Sequence, residues 1–188
     1  MTHDLVPPRS RSQGEGLALI GYRGAGKSTV GRILADRVGR VFLDMDKELQ
    51  IRVGRSAAAI FAEDGEAFFR DCEERTLAEI LSRHPTAIVA TGGGAILREA
   101  NRRRLGQFGF VVWLTADSAE LARRVGSDPR GFDERPSLTS AGTIGEIGHV
   151  LEARKPLYEG VADAVIETAG KTPDEVAAAI MERWTPQV

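Results

Sequence analysis

The sequence predicts an α/β fold in which a parallel sheet is covered by helices on both faces. Three observations carry the prediction. Short apolar runs bounded by turn residues recur at 17–21, 40–44, 87–92, 110–114 and 164–168. Helix-length amphipathic stretches separate them, and a glycine-rich loop of the form GxxxxGK[ST] follows the first run directly. Strands that alternate with helices pair in parallel, because each return to the sheet is made by a helix packed on its face.

The first helix begins near Lys27, runs through Ile33 and Leu34 to Val38, and stops at Gly39, a residue suited to a helix C-terminus. Between Asp46 and Arg70, the stretches 47–51 and 57–61 read as short helices inserted between two strands, which suggests a small substrate-binding subdomain. Later helices are expected over 71–82, 119–124, 145–158 and 173–183. Pro173 followed by Asp174 and Glu175 is a strong opening for the last of these, since proline suits the first turn and acids favour the positive end of the dipole. Residues 126–143 are dense in Gly, Pro, Ser and charge, which is loop composition. That stretch is either a plain surface connection or a lid that closes over bound nucleotide.

A chain of 188 residues fits one domain and is long enough to bury a core. Its 42% hydrophobic and 28% charged residues, with a formal net charge of -2, describe an ordinary globular protein without the basic excess of a nucleic-acid binder. No segment is apolar enough over its length to cross a bilayer, so neither nucleic acid nor membrane is expected as a partner. The single cysteine, Cys72, forms no internal disulfide, and with His3, His84 and His149 it shows no zinc-binding spacing. A reducing cytoplasm is the expected location. Residues 1–15 are polar, carry Pro7-Pro8 and lack a secretory signal's apolar run, so they read as a disordered leader to a domain spanning 16–185.

The loop Gly21-Tyr22-Arg23-Gly24-Ala25-Gly26-Lys27-Ser28-Thr29 is a complete phosphate-binding sequence at a strand-to-helix turn. Its glycines let backbone N–H groups converge on an anion at the following helix N-terminus. Lys27 is placed to reach the β and γ phosphates, and Ser28 offers a hydroxyl to Mg²⁺. Asp44-Met45-Asp46 sits at the carboxyl end of the second strand, where strand alternation would point both carboxylates the same way. One carboxylate could support the metal's water shell while the other accepts a hydrogen bond from an attacking hydroxyl. The competing reading is an acidic helix N-cap with a solvated neighbour.

Arg70 is either a surface charge paired with Glu73 or Glu74 at helical spacing, or part of an anion site. The triplet Gly92-Gly93-Gly94 favours the second reading, because it puts bare backbone at the ligand edge of the sheet, where its N–H groups could meet a carboxylate or hydroxyls. Arg135-Pro136 falls in the candidate lid, and Arg154-Lys155-Pro156-Leu157-Tyr158 closes a later helix. Guanidinium groups suit bidentate contact with carboxylate or phosphate. His84 reads as solvated and Trp113 as core.

Together these pieces make the chain resemble the shikimate kinase family over residues 17–184. The marks are the phosphate loop, Asp44-x-Asp46, Asp64-Gly65-Glu66-x-x-Phe69-Arg70-x-x-Glu73, Gly92-Gly93-Gly94-Ala95, Arg135-Pro136, and Arg154-x-Pro156-Leu157-Tyr158 before Ala162-Asp163. The resemblance implies a P-loop NTPase fold of the nucleoside monophosphate kinase type. It has three layers, a five-stranded parallel sheet, a helical substrate-binding insertion at about 45–73 and a lid at about 126–142. It also implies transfer of the γ-phosphoryl group of ATP to the 3-hydroxyl of shikimate, in a cytoplasmic, Mg²⁺-dependent monomer.

Carried over by position, the resemblance gives Gly24, Ala25, Gly26, Lys27, Ser28 and Thr29 to the phosphates and Ser28 with Asp44 to Mg²⁺. Asp46 becomes the candidate base. Arg70, Arg154 and the backbone of Gly92, Gly93 and Gly94 become the shikimate site, with Glu73 orienting Arg70. Arg124 is set against adenine, and Arg135 is brought onto the phosphates by the lid. Lys27, Asp46 and Arg135 form the catalytic set. The chain departs from the family pattern at Arg135-Pro136-Ser137-Leu138, where Arg-Pro-Leu-Leu is common. Residues 126–134 also look longer than usual, and 139–147 differ from the common pattern. Two other readings share some of these features. A gluconate or nucleoside monophosphate kinase would need a different acceptor pocket, and a GTPase-type switch would need an Asn-Lys-x-Asp segment, which is absent.

Overall fold

A computed structural model describes residues 14–127 and 143–185. In chain order the elements are β1 (Gly16–Ile20), α1 (Lys27–Val38), β2 (Phe42–Asp44), α2 (Met45–Val53), α3 (Ala57–Glu63) and α4 (Gly65–Arg83). There follow β3 (Ile88–Ala90), a 3-10 turn (Ala95–Leu97), α5 (Glu99–Phe108), β4 (Gly109–Thr115), α6 (Ser118–Ser127), α7 (Thr143–Glu159), β5 (Ala164–Glu167) and α8 (Pro173–Met181).

The five strands form one sheet in the order β2-β3-β1-β4-β5, and every pair is parallel. β1 is central and wholly buried, as a parallel strand covered on both faces must be. Its side chains alternate between two cores. Leu17 and Leu19 join Leu34 of α1, Leu121 of α6 and Val176, Ala177 and Ile180 of α8. Ala18 and Ile20 join Leu77 and Ile80 of α4, Leu105 of α5 and Tyr158 of α7 on the other side. A third, smaller core of Leu49, Ala57, Ile60 and Phe69 holds α2, α3 and the start of α4 together. The chain leaves β1 for β2 on one side and later crosses to β4 on the other, so the carboxyl end of β1 opens onto a crevice of the kind ligands occupy.

The expected bounds of α1 match, including Gly39 in the left-handed region at its end. α8 opens as expected at Pro173, behind a reciprocal capping box. Thr172 Oγ1 accepts from the Glu175 N–H at 3.3 Å, and the Glu175 carboxylate accepts from the Thr172 N–H at 2.7 Å. Three expectations need correction. The fourth helix starts at Gly65 instead of residue 71, because Gly65, at φ +81°, turns the chain straight out of α3. α6 continues to Ser127, so residues 126 and 127 belong to a helix and not to the loop. Asp46 lies in the first turn of α2 and not in a strand, since β2 ends at Asp44 and the helix begins at Met45. Alternation therefore does not relate the two aspartates.

Candidate active site

The phosphate loop joins β1 to α1 with Gly24 at φ +79° and Gly26 at φ +92°. These are left-handed conformations that a side chain would strain, so glycine is what lets the loop curl its amides toward one point. Gly26 caps α1 with no side-chain hydrogen bond, and the first turn of that helix carries no acidic residue. An anion is therefore the natural partner for the amides at this helix start. Lys27 is buried, and its Nζ donates to the carbonyls of Gly21 and Tyr22, each at 2.8 Å.

Asp44 and Asp46 take different positions. Asp44 Oδ2 accepts from Ser28 Oγ at 2.6 Å, while Oδ1 accepts from the Asp46 N–H at 3.2 Å. One carboxylate thus caps α2 and ties it to the start of α1, so the N-cap reading and a place beside the phosphate loop are both true of Asp44. Asp46 faces a cleft of about 790 Å³ that the phosphate loop, Thr91 and Gly93 also line. Ser28 and Asp44 are hard oxygen donors, a fitting pair for Mg²⁺, which keeps most of its remaining shell as water and phosphate oxygen. Among the described residues no cluster of three or more His, Cys, Asp or Glu could hold a metal without such help.

Arg124, which also lines the cleft, is fixed by four contacts. Its Nε donates to Glu120 at 2.7 Å, Nη1 to Thr168 Oγ1 at 3.0 Å and to the Gly24 carbonyl at 3.4 Å, and Nη2 to the Thr168 carbonyl at 2.9 Å. Glu120 also takes two 2.8 Å bonds from Arg123. Hydrogen bonds from Arg123 and then Arg124 hold its carboxyl down at about 2, so it is ionised near neutral pH.

Arg70 is buried, with Nη1 donating to Glu73 at 2.8 Å and Nε and Nη2 donating to Glu66 at 3.2 and 3.1 Å. Glu73 is fully buried, at 0% exposure. Burial is the largest single influence and pulls the Arg70 pKa down, but the Glu73 and Glu66 carboxylates together outweigh it, and the net shift is upward. Opposite this group, a Cβ on Gly94 would fall 2.3 Å from Arg70 Nη1, so only glycine lets the guanidinium lie there. On the neighbouring residue, the Gly93 carbonyl accepts from Arg154 Nη1 at 3.0 Å and from the Tyr158 hydroxyl at 2.8 Å. Gly92 and Gly94 use their carbonyls to hold the 3-10 turn, at 3.1 and 3.0 Å.

The structure therefore brings Lys27, Ser28, Asp46 and Gly93 to one cleft, and sets Arg70 and Arg154 against the Gly93-Gly94 step at its wall. Arg135 and most of the expected lid lie outside the described residues, as does the leader before Gly14. His84 is exposed and Trp113 is buried, as read. Neighbours of the site that were not assigned roles from sequence include Thr91, Glu120, Thr168 and Tyr158. Tyr158 had a signal, since it stands four residues after Arg154 and so shares its helix face.

A parallel sheet, a phosphate loop at its central strand and a cationic wall beside that loop define a nucleotide-dependent small-molecule phosphotransferase. Residues 23–185 match the family model described as shikimate kinase. The chain belongs to the shikimate kinase family, and is an ATP-dependent kinase of aromatic amino acid biosynthesis acting on shikimate. The shikimate kinase of Rhodopirellula baltica is 40% identical over 97% of this chain and 94% of its own. The shikimate kinase of Acinetobacter baumannii, solved in complex with shikimate, superposes with a TM-score of 0.84 at 37% identity, covering 92% of this chain and 93% of that one. A gluconokinase from Sinorhizobium meliloti matches at TM-score 0.56 and 20% identity, over 93% and 94% of the two chains, a likeness of fold alone.

Proposed function

We propose that the chain moves the γ-phosphoryl group of ATP in line to the 3-hydroxyl of shikimate. Arg70, Arg154 and the backbone of Gly92, Gly93 and Gly94 hold the acceptor, and Asp46 receives its hydroxyl. The observation that carries this reading is the Gly93-Gly94 step, where one arginine donates to Gly93 and another lies against Gly94, beside the cleft that holds Lys27 and Asp46. Two guanidinium groups at one point suit a carboxylate, which shikimate has.

Phosphate oxygens are stronger acceptors than the two carbonyls that Lys27 now contacts, so the ammonium turns to the β and γ phosphates when ATP binds. Gly24, Ala25, Gly26, Ser28 and Thr29 cradle the phosphates, and Arg124 meets the adenine. Ser28 and Asp44 hold Mg²⁺, which offsets charge on the phosphate oxygens when bound. Asp46 orients the hydroxyl and accepts its proton, while Arg135 comes from a lid at about 128–142 to exclude water. Residues 45–73 serve as the acceptor subdomain, within a single domain at 16–185 that acts as a cytoplasmic monomer. Lys27, Arg70, Arg135 and Arg154 together balance an anionic acceptor and triphosphate despite the chain's net negative charge.

A coupled assay of ADP release tests the acceptor assignment. Release is expected to depend on shikimate and to stay at background with gluconate. Turnover with gluconate and none with shikimate would overturn it.

A further inference from the structure

The Gly93 carbonyl is buried and has two donors, one of which the proposed chemistry does not use. That donor is the hydroxyl of Tyr158, 2.8 Å away, on a side chain 1% exposed. We propose that Tyr158 is a positioning residue for shikimate, anchoring the Gly93 carbonyl from behind and so fixing both Arg154 and the Gly93-Gly94 peptide against the acceptor. The inference rests on the acceptor site described above and adds to it a residue that touches neither substrate.

A carbonyl oxygen has two lone pairs, and here Tyr158 and Arg154 share them. Within a trans peptide the C=O of one residue and the N–H of the next point in opposite directions. Holding the Gly93 carbonyl toward α7 therefore aims the Gly94 N–H away from α7. Gly94 is also the residue against which the Arg70 guanidinium lies. The Tyr158 hydroxyl thus shares its acceptor with Arg154 and lies one peptide from the Arg70 contact. Its ring is held independently of the hydroxyl, stacked on Trp113 at 5.2 Å between centroids and 12° between planes. Burial pushes the phenol up to about 12, which keeps the hydroxyl a donor throughout the working pH range.

Tyr158→Phe removes the donor and leaves the stack. Steady-state kinetics on the full chain are expected to show the shikimate KM raised about three- to tenfold, the ratio for losing one such hydrogen bond, with the ATP KM within twofold of the parent. A purely structural tyrosine would leave both KM values unchanged or move them together, and either result overturns the proposal. Arg70→Lys, measured in parallel, separates the two levels. If it leaves the shikimate KM unchanged, the acceptor site itself is misplaced. If it raises that KM while Tyr158→Phe does not, the site stands and the role of Tyr158 falls. Should the Phe variant fail to fold, 3-fluorotyrosine incorporation reports on the intact side chain. Tyr22 and Tyr158 are the only tyrosines, and Tyr22→Phe assigns the signals. The Tyr158 fluorine resonance is expected to shift when shikimate is added, and a resonance that does not move overturns the proposal.

Discussion

Asp46→Asn is expected to lower kcat by about two to four orders of magnitude, the range for removing a positioned general base, with ATP affinity changed less than threefold. The asparagine keeps the side chain's size and one acceptor oxygen, so packing at the start of α2 and the link to Asp44 through the backbone N–H both survive. What disappears is the negative charge in a cleft that also holds Lys27 and the Gly93 step. Phosphoryl transfer depends chiefly on position and electrostatics, so the loss falls on the reaction and not on nucleotide binding. Steady-state kinetics with an ADP titration check this. A kcat within tenfold of the parent would remove Asp46 as base and leave it an orienting role at most.

Glu73→Ala is expected to destabilise the fold by about 3–5 kcal/mol, read from urea unfolding, because it leaves a buried guanidinium without its buried partner. Arg70 and Glu73 are 8% and 0% exposed and 2.8 Å apart, so little water screens the pair. Glu66 also bonds Arg70, but its side chain is 57% exposed and cannot replace a fully buried carboxylate. The shikimate KM is expected to rise with the stability loss, since Glu73 fixes the guanidinium against Gly94. A loss under about 1 kcal/mol would mean that solvent reaches Arg70 in place of Glu73.

Much of this was legible in the chain, because the signals were local. The phosphate loop and Gly39 bracket α1 by their own backbone preferences, and the result agrees at both ends. The Gly-Gly-Gly step and Arg70 were readable as a candidate site because three consecutive glycines exceed what a turn needs. α5 was not singled out. Of its ten residues only Asn101, Leu105 and Phe108 are buried, which leaves a weak apolar stripe. The geometry at Asp44 and Asp46 was misread because a strand of three residues gives way to a helix between them, and alternation cannot register that switch. Contacts such as Arg124 with Thr168 join residues 44 apart across the folded sheet, so no spacing could have announced them.

A crystal structure of the chain with shikimate and ADP tests most directly whether one hollow gathers these groups. The expected result places the shikimate carboxylate at hydrogen-bond distance, about 3 Å, from both Arg70 and Arg154, with a ring hydroxyl on Asp46. Shikimate bound away from the Gly93-Gly94 step, with Arg70 still hydrogen-bonded to Glu66 and Glu73 and making no contact to the ligand, would contradict it.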